Sequence, residues 1–297
     1  MIQQLLSKGN DTKKRAFQIP EELQSFSGLS INTLALVGAV LFAFPFYYIL
    51  VASSFSEGVI YQFPPKLTPG GQYLQNFSNL LFETQFSRTL LNSLIYATFS
   101  TIGVLIVATT SGYAFAKFEF PGRKPLFYVT LITLAIPFQL IAIPLFSLLV
   151  DFGLANTFVG LVLPAVAHPI GVFFMRQNIE QTIIDDMLNS ARIDGASEIQ
   201  VFRHIVFPLI RPGLAALAVL MFMLRMNELF WPLVVMRSDA NSTATMFLAT
   251  FLGGPESPPD WTVMMPAALL ASIPVLIVFI FLQKHFVKGL LAGSVKQ

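Results

Sequence analysis

The chain has 297 residues, of which 55% are apolar and 11% charged. A soluble globular domain carries roughly 25% charged residues, so this composition points to a membrane protein. The formal net charge of +2 says little about partners, and no nucleic-acid partner is expected. The absence of Cys excludes disulfides, thiol chemistry and Cys-based metal sites.

A membrane helix needs about 20 consecutive, mostly apolar residues, and six stretches qualify. Residues 1–30 read as a polar cytoplasmic tail, followed by span one over 31–51. A signal peptide would have an apolar region of only about 7–15 residues, so span one reads as an uncleaved anchor. The outer loop that follows, completing a segment 31–88, begins with "FPPKLTPGGQ", whose Pro and Gly mark irregular structure. "NFSNLLFETQF" then sets Phe77, Leu80 and Leu81 on one helical face, as in a short interfacial helix. Span two lies within 90–116, where no charge occurs between Arg88 and Lys117. "FEFPGRKP" reads as a basic Pro-Gly turn at the inner surface.

Span three lies between Lys124 and Asp151, and span four runs over 157–175. Pro137 and Pro144 flank Gln139 in span three and free backbone carbonyls there, tolerable beside protein or a water-filled path. His168, before Pro169, reads as a satisfied packing residue. Span five is expected over about 213–235, interrupted by Arg225 and Glu228. These two are three residues apart and share a helix face. They fit either a structural pair at a subunit interface or, with Asn227 and Trp231, the wall of a cavity suited to sugar hydroxyls and apolar sugar faces. The loop 237–261 reads as outer and polar, with "GGPESPPD" near its end, and span six covers 263–282.

Lys and Arg counts orient the spans. Fourteen fall in the two tails, the loop after span two and the loop after span four; three (Lys66, Arg88, Arg237) fall on the other side. Both termini are therefore expected in the cytoplasm. Spans two to six make a unit over 89–286, and 287–297 is a second cytoplasmic tail.

The loop between spans four and five, residues 177–211, is the most polar internal segment. "DDMLNSARI" gives a short helix with Met187, Leu188 and Ala191 on one apolar face and Asp185 and Asp186 in its first turn. Gly195 is placed to end it in a left-handed conformation. Ser197, with Gln200 three residues on, has the capping-box pattern of a second helix. Pro208 and Pro212 are expected to bend the chain into span five. Patterning leaves two readings of this knuckle, a rigid docking element and a plain amphipathic linker.

"NSARIDGASEIQVFRHIVFPLIRP" resembles the EAA loop of ABC importer permeases, whose core reads roughly Glu-Ala-Ala-x-x-x-Gly. "YAFAKFEFPGR", "IPFQLIAIPLF", "NELFWPLVV" and "LQKHFVKGLLAGSVK" are similar to the carbohydrate-uptake branch of that family, in its order and spacing. The resemblance covers roughly residues 30–297. It implies an all-α integral membrane protein with six transmembrane helices and a cytoplasmic helix–Gly–helix coupling loop between spans four and five. It further implies a permease subunit of an ATP-driven sugar importer in a bacterial-type inner membrane.

The implied partners are a homologous second permease subunit, two cytoplasmic ABC ATPase subunits, an extracytoplasmic solute-binding protein, a sugar and membrane lipid. ATP would be bound by the ATPases, with no cofactor on this chain. The resemblance assigns coupling to Met187, Leu188, Asn189, Ala191, Asp194, Gly195, Ala196 and Phe202. The substrate-pathway candidates are Gln139, Asn227, Glu228 and Trp231. Three departures stand out in the loop: Asn189 replaces the motif Glu, Ser190 its first Ala, and Ile184 a usual proline. In span five, Met226 after Arg225 stands where a Trp is usual.

The chain has no Gly-x-x-x-x-Gly-Lys-Ser/Thr phosphate loop, so no ATP hydrolysis and no enzyme activity are expected. His168, His204 and His285 are far apart and form no metal motif. The rival reading is a self-sufficient secondary carrier or channel with Glu228 as its ion-coupling carboxylate.

Overall fold

The structure, a computed structural model, describes residues 21–253 and 258–292. Within them lie thirteen α-helices: α1 (Glu21–Ala52), α2 (Tyr73–Ser78), α3 (Phe86–Lys117), α4 (Arg123–Ile132), α5 (Phe138–Asp151), α6 (Phe158–Val166), α7 (Pro169–Thr182), α8 (Asp185–Ile193), α9 (Glu198–Val201), α10 (Phe207–Met226), α11 (Phe230–Val235), α12 (Ala244–Thr250) and α13 (Trp261–Ala292). Four stretches are long and apolar enough to cross a membrane alone: Ile31–Ala52, Phe86–Lys117, Glu198–Met226 and Trp261–Gln283. Two bent pairs, Arg123–Ala135 with Phe138–Asp151 and Phe158–Val166 with Pro169–Thr182, bring the spans to six when each pair is counted as one span. Of the expected tails, residues 21–30 are already helical, while 1–20 and 293–297 lie outside the described residues.

The centre of the bundle is α3, which packs against α7 and α10. Its buried face is made of small and weakly polar residues, among them Ser93, Ala97, Ser100, Thr101 and Ala108. Lipid gives little hydrophobic drive between helices, so small side chains that admit close backbone approach take its place. A Cβ added at Gly112 would lie 2.8 Å from the Arg176 nitrogen and 2.9 Å from the Met175 Cβ. The α3–α7 crossing therefore needs glycine at that point. By contrast, α1 packs on α13 and buries only 6% of its apolar window within the chain.

Span three is not one straight helix. Its two halves meet at 103°, with Ile136 extended immediately before Pro137. A proline disfavours helical geometry in the residue before it, and its ring cannot continue the hydrogen-bond ladder. Pro144, in contrast, is carried inside α5. Span four breaks by 43° between α6 and α7, where His168 is extended and Pro169 opens the new helix.

Span five corrects the sequence expectation. Pro208 and Pro212 do not bend the chain away from the knuckle; the helix runs unbroken from Glu198 to Met226. A wide π turn at Phe202–Val206 precedes them, with the Phe207 N–H bonded to the Phe202 carbonyl. That i−5 pattern gives the proline ring the room an ordinary turn denies it. The interruption falls instead between Met226 and Phe230, before α11.

The loop 237–261 also holds more order than its composition suggests. It contains α12, capped by Thr243 and seated by Phe247 against Phe86, with ring centroids 5.4 Å apart. The Asn92 amide donates to the Ala240 and Ser242 carbonyls and pins this loop to the N-terminal part of α3. In the first loop, α2 and the turn after it bury Leu80 and Asn76 against the protein, and the Asn76 amide donates to the Ser53 and Phe55 carbonyls.

Candidate functional site

Three helix breaks converge: Ile136–Pro137, Ala167–His168 and the segment after Met226. Together they border a cavity of about 880 Å³. Pro137, Gln139, His168, Arg225, Glu228 and Phe230 are among its lining residues. Non-helical backbone at membrane depth is stable only where it is buried in protein or faces a water-filled space, and all three breaks border this cavity.

The charged part of the wall is a hydrogen-bonded network, in which the buried Arg225 Nε alone of the guanidinium nitrogens is without a partner. An Arg225 guanidinium nitrogen lies 2.6 Å from Glu228 Oε2, and the same oxygen accepts from the Tyr96 hydroxyl at 2.6 Å. A second Arg225 nitrogen donates to the Ala165 carbonyl at 3.0 Å, which ties the end of α10 to α6 beside its break. Thr245 holds the Glu228 carbonyl at 2.8 Å. A lone charge in the membrane is costly, and pairing with hydrogen bonding offsets that cost. Glu228 is thus ion-paired and hydrogen-bonded, not a free carboxylate awaiting a coupling ion.

Of the pathway candidates, the structure brings Gln139 and Glu228 to one cavity. Trp231 stands elsewhere: it is fully buried, and its indole N–H donates to the Leu161 carbonyl at 3.1 Å. Asn227 is exposed and caps the end of α10 by donating to the Met223 carbonyl. His168 departs from the satisfied packing residue expected, since its buried Nδ1 has no hydrogen-bond partner. Tyr96 escaped sequence reasoning; a tyrosine in an apolar span gives no spacing signal toward Glu228, 132 residues away.

The second candidate region is the knuckle of α8 and α9. Asp185 and Asp186 occupy the first turn of α8. Gly195 has φ +86°, with the Gly195 N–H bonded to the Arg192 carbonyl and the Ala196 N–H to the Ala191 carbonyl. That pair of bonds is the Schellman termination, which favours glycine at its left-handed position. The Ser197–Gln200 capping box is formed in both directions.

Leu188 is buried, and Ala191, Ala196 and Phe202 pack beside it on the core that includes Tyr113 and Met175. Met187, Asn189, Asp194 and Gly195 face outward. Three isoleucines that were not among the coupling candidates face outward with them: Ile184, Ile193 and Ile199, the last two 86% and 80% exposed. Their signal was available, because Ile193 and Ile199 flank the glycine turn.

One polar link ties the knuckle to the rest of the protein, and another holds its two helices together. Lys117, at the end of α3, donates to the Ile183 carbonyl at 2.7 Å and pairs with Asp185 at 2.6 Å. Arg192 pairs with Glu198 at 2.7 Å across the glycine turn and also reaches the Asn189 amide oxygen at 3.2 Å. Asn189, standing where the motif has Glu, is thereby an acceptor for Arg192 within its own helix. Among the described residues no group of His, Asp and Glu is placed to hold a metal ion.

A family model described as the inner membrane component of binding-protein-dependent transport systems matches residues 105–292. The sn-glycerol-3-phosphate transport system permease protein UgpE of Yersinia pestis is 32% identical over 276 residues, covering 90% of this chain and 98% of that protein. The corresponding protein of Brucella abortus is 32% identical over 276 residues and covers 91% of this chain and 98% of its own length. Among solved structures, a chain of a bacterial ABC transporter that imports the acidic polysaccharide alginate matches with a TM-score of 0.76 and 24% identity, over 91% of this chain and 99% of that one. The MetNI methionine ABC transporter matches more distantly, with a TM-score of 0.50 and 15% identity, over 74% of this chain and 98% of that one. The chain belongs to the inner membrane components of binding-protein-dependent transport systems: it is a multi-pass permease subunit of an ATP-driven importer, not an enzyme, and ATP is handled by partner ATPases.

Proposed function

We infer that this chain forms half of a path for a sugar-class solute and passes the ATPase cycle to that path through its knuckle. The observation that carries the reading is the convergence of three helix breaks on one cavity. Its wall offers the Gln139 amide and the Glu228 carboxylate as polar groups, with Phe230 and prolines as apolar ones. A polyhydroxylated solute needs this mixture of donors, acceptors and apolar surface. The relatives' names, sn-glycerol-3-phosphate and alginate, are of the same broad chemistry.

The other half of the path comes from a homologous second permease, and two ATPase subunits drive the pair. An extracytoplasmic binding protein delivers the solute. The excess of Lys and Arg in the tails and in the loops after spans two and four supports cytoplasmic termini and a cytoplasmic knuckle. The outward isoleucines with Met187 supply an apolar face for an ATPase groove, and Leu188 and Phe202 anchor that face to the bundle. Docking then rests on shape and apolar contact, since Asn189 carries no charge.

The test places a bulky charge at the turn. Gly195→Arg in the assembled importer is expected to lower both solute uptake and retention of the ATPase on purification. Unchanged uptake with unchanged retention refutes the docking role. Stimulation of ATP hydrolysis across a panel of saccharides, polyols and glycerol phosphates, with the cognate binding protein, assigns the solute.

A further inference from the structure

Away from the cavity, α3, α10 and α13 enclose a groove of about 650 Å³. Ile106, Leu214, Ala215, Ala218 and Leu282 give it an almost wholly apolar lining. Among the described residues Arg211 is its one charged lining residue. The α10 positions 207, 211, 214, 215 and 218 recur at helical spacing and make one continuous stripe.

The dimensions match one leaflet. From Phe207 to Ala218 is eleven residues, or about 17 Å of helix. Half of the hydrocarbon core of a bilayer is about 15 Å. On α3, Leu105 lies twelve residues from Lys117, about 18 Å, so the groove runs from the helix ends near the knuckle toward mid-membrane.

Arg211 is exposed and has no carboxylate partner among the described residues; its guanidinium lies 5.5 Å from the Phe207 ring centroid. Of the other arginines expected on the inner side, Arg176 and Arg192 are paired with Glu180 and Glu198, whereas Arg123 and Arg203 have no carboxylate partner among the described residues and do not line the groove. A permanently charged guanidinium at the mouth of an apolar groove fits an acyl chain that carries a phosphate at its head. Arginine binds phosphate through two parallel hydrogen bonds, and the acyl chain fills the groove below. An apolar helix from another subunit would cover the groove but leave Arg211 without a counter-charge.

We propose that this groove is a binding site for an anionic phospholipid of the cytoplasmic leaflet, with Arg211 on the lipid phosphate and the Ala215–Ala218 face against an acyl chain. The proposal rests on the orientation inferred above, but its test needs no transport measurement, so the two readings fail separately.

The intact importer is reconstituted in nanodiscs of phosphatidylcholine with a minority of phosphatidylglycerol. Lipids retained after detergent extraction are then counted by native mass spectrometry. Wild type is expected to retain phosphatidylglycerol in preference to phosphatidylcholine. Arg211→Gln is expected to lower that preference roughly tenfold, the loss of one charge-assisted interaction, and Arg211→Lys to lower it less. Ala215→Trp is expected to exclude both lipids. Equal retention of the two lipids by wild type, or an unchanged preference in Arg211→Gln, overturns the proposal. So does an Ala215→Trp complex that sheds its second permease while its lipid content is unchanged, because the groove is then a subunit contact. If a variant fails to assemble, the wild-type competition alone decides.

Discussion

The Arg225–Glu228 pair offers the sharpest quantitative test of the cavity. Arg225→Met removes the cation, leaves Glu228 with the Tyr96 hydroxyl alone and strips the Ala165 carbonyl of its donor. Glu228→Gln keeps an acceptor for Tyr96 but leaves the guanidinium uncompensated. The two side chains are 11% and 18% exposed, so solvent screens little of either change. Removing one partner of a buried pair costs about 3–5 kcal/mol, most of it the penalty on the charge left behind. In the double variant no charge remains unpaired and Tyr96 still has an amide oxygen to donate to. Its loss is expected to be only about 1–2 kcal/mol, that of a few neutral hydrogen bonds. The cycle should therefore show coupling of at least about 3 kcal/mol. SDS-titrated unfolding of the four proteins in mixed micelles, followed by Trp fluorescence, measures it. Single losses that simply add, with coupling below about 1 kcal/mol, refute the view that the pair is a closed, self-neutralising unit.

Three further outcomes are expected. Gly112→Ala forces a Cβ against Arg176 and Met175 and should cost about 1–3 kcal/mol in the same titration; a neutral result refutes the close α3–α7 approach. Lys117→Met should destabilise more than Asp185→Asn. The Asp185 carboxylate is 74% exposed and its pair is worth below about 1 kcal/mol, whereas the Ile183 carbonyl loses its donor only in the first variant. The reverse order in thermal unfolding refutes that assignment. At Gly195 no atom stands within 4 Å of an added Cβ, so the cost of Gly195→Ala is conformational, about 1–2 kcal/mol, and Gly195→Asn should recover part of it. Hydrogen exchange across α8 reads both, and equal protection in all three proteins contradicts a required left-handed turn.

Much of this architecture was legible in the sequence because its signals are local. Six apolar stretches, Gly195 after a short amphipathic helix and Ser197 three residues before Gln200 each specify structure through neighbours along the chain. Pro137 and Pro169 stand at two of the breaks, although span four was expected to run through Pro169 without one. The third break has no proline at it; the crowding of Arg225, Asn227 and Glu228 was its only trace. What could not be read was pairing across long separations. Tyr96 with Glu228, Arg225 with Ala165 and Lys117 with Asp185 depend on which helix faces lie together, and apolar periodicity is weak where lipid and protein interior look alike. Trp231 shows the same limit in reverse: its place beside Glu228 in the sequence suggested a cavity wall, yet its side chain is turned inward to Leu161.

The unbroken helix from Glu198 to Met226 has a mechanical consequence. Its 29 residues make a rod about 43 Å long, one end in the knuckle and the other at the break that borders the cavity. Arg225 rides on the far end, while Glu228 is moored to neighbouring helices through Tyr96 and Thr245. A tilt of about 5° about the near end swings the far end sideways by about 4 Å, further than the 2.6 Å that separates the charged atoms. In the coupling role proposed for the knuckle, the helix would act as a lever, turning a short stroke at its near end into a displacement of atomic consequence beside the cavity.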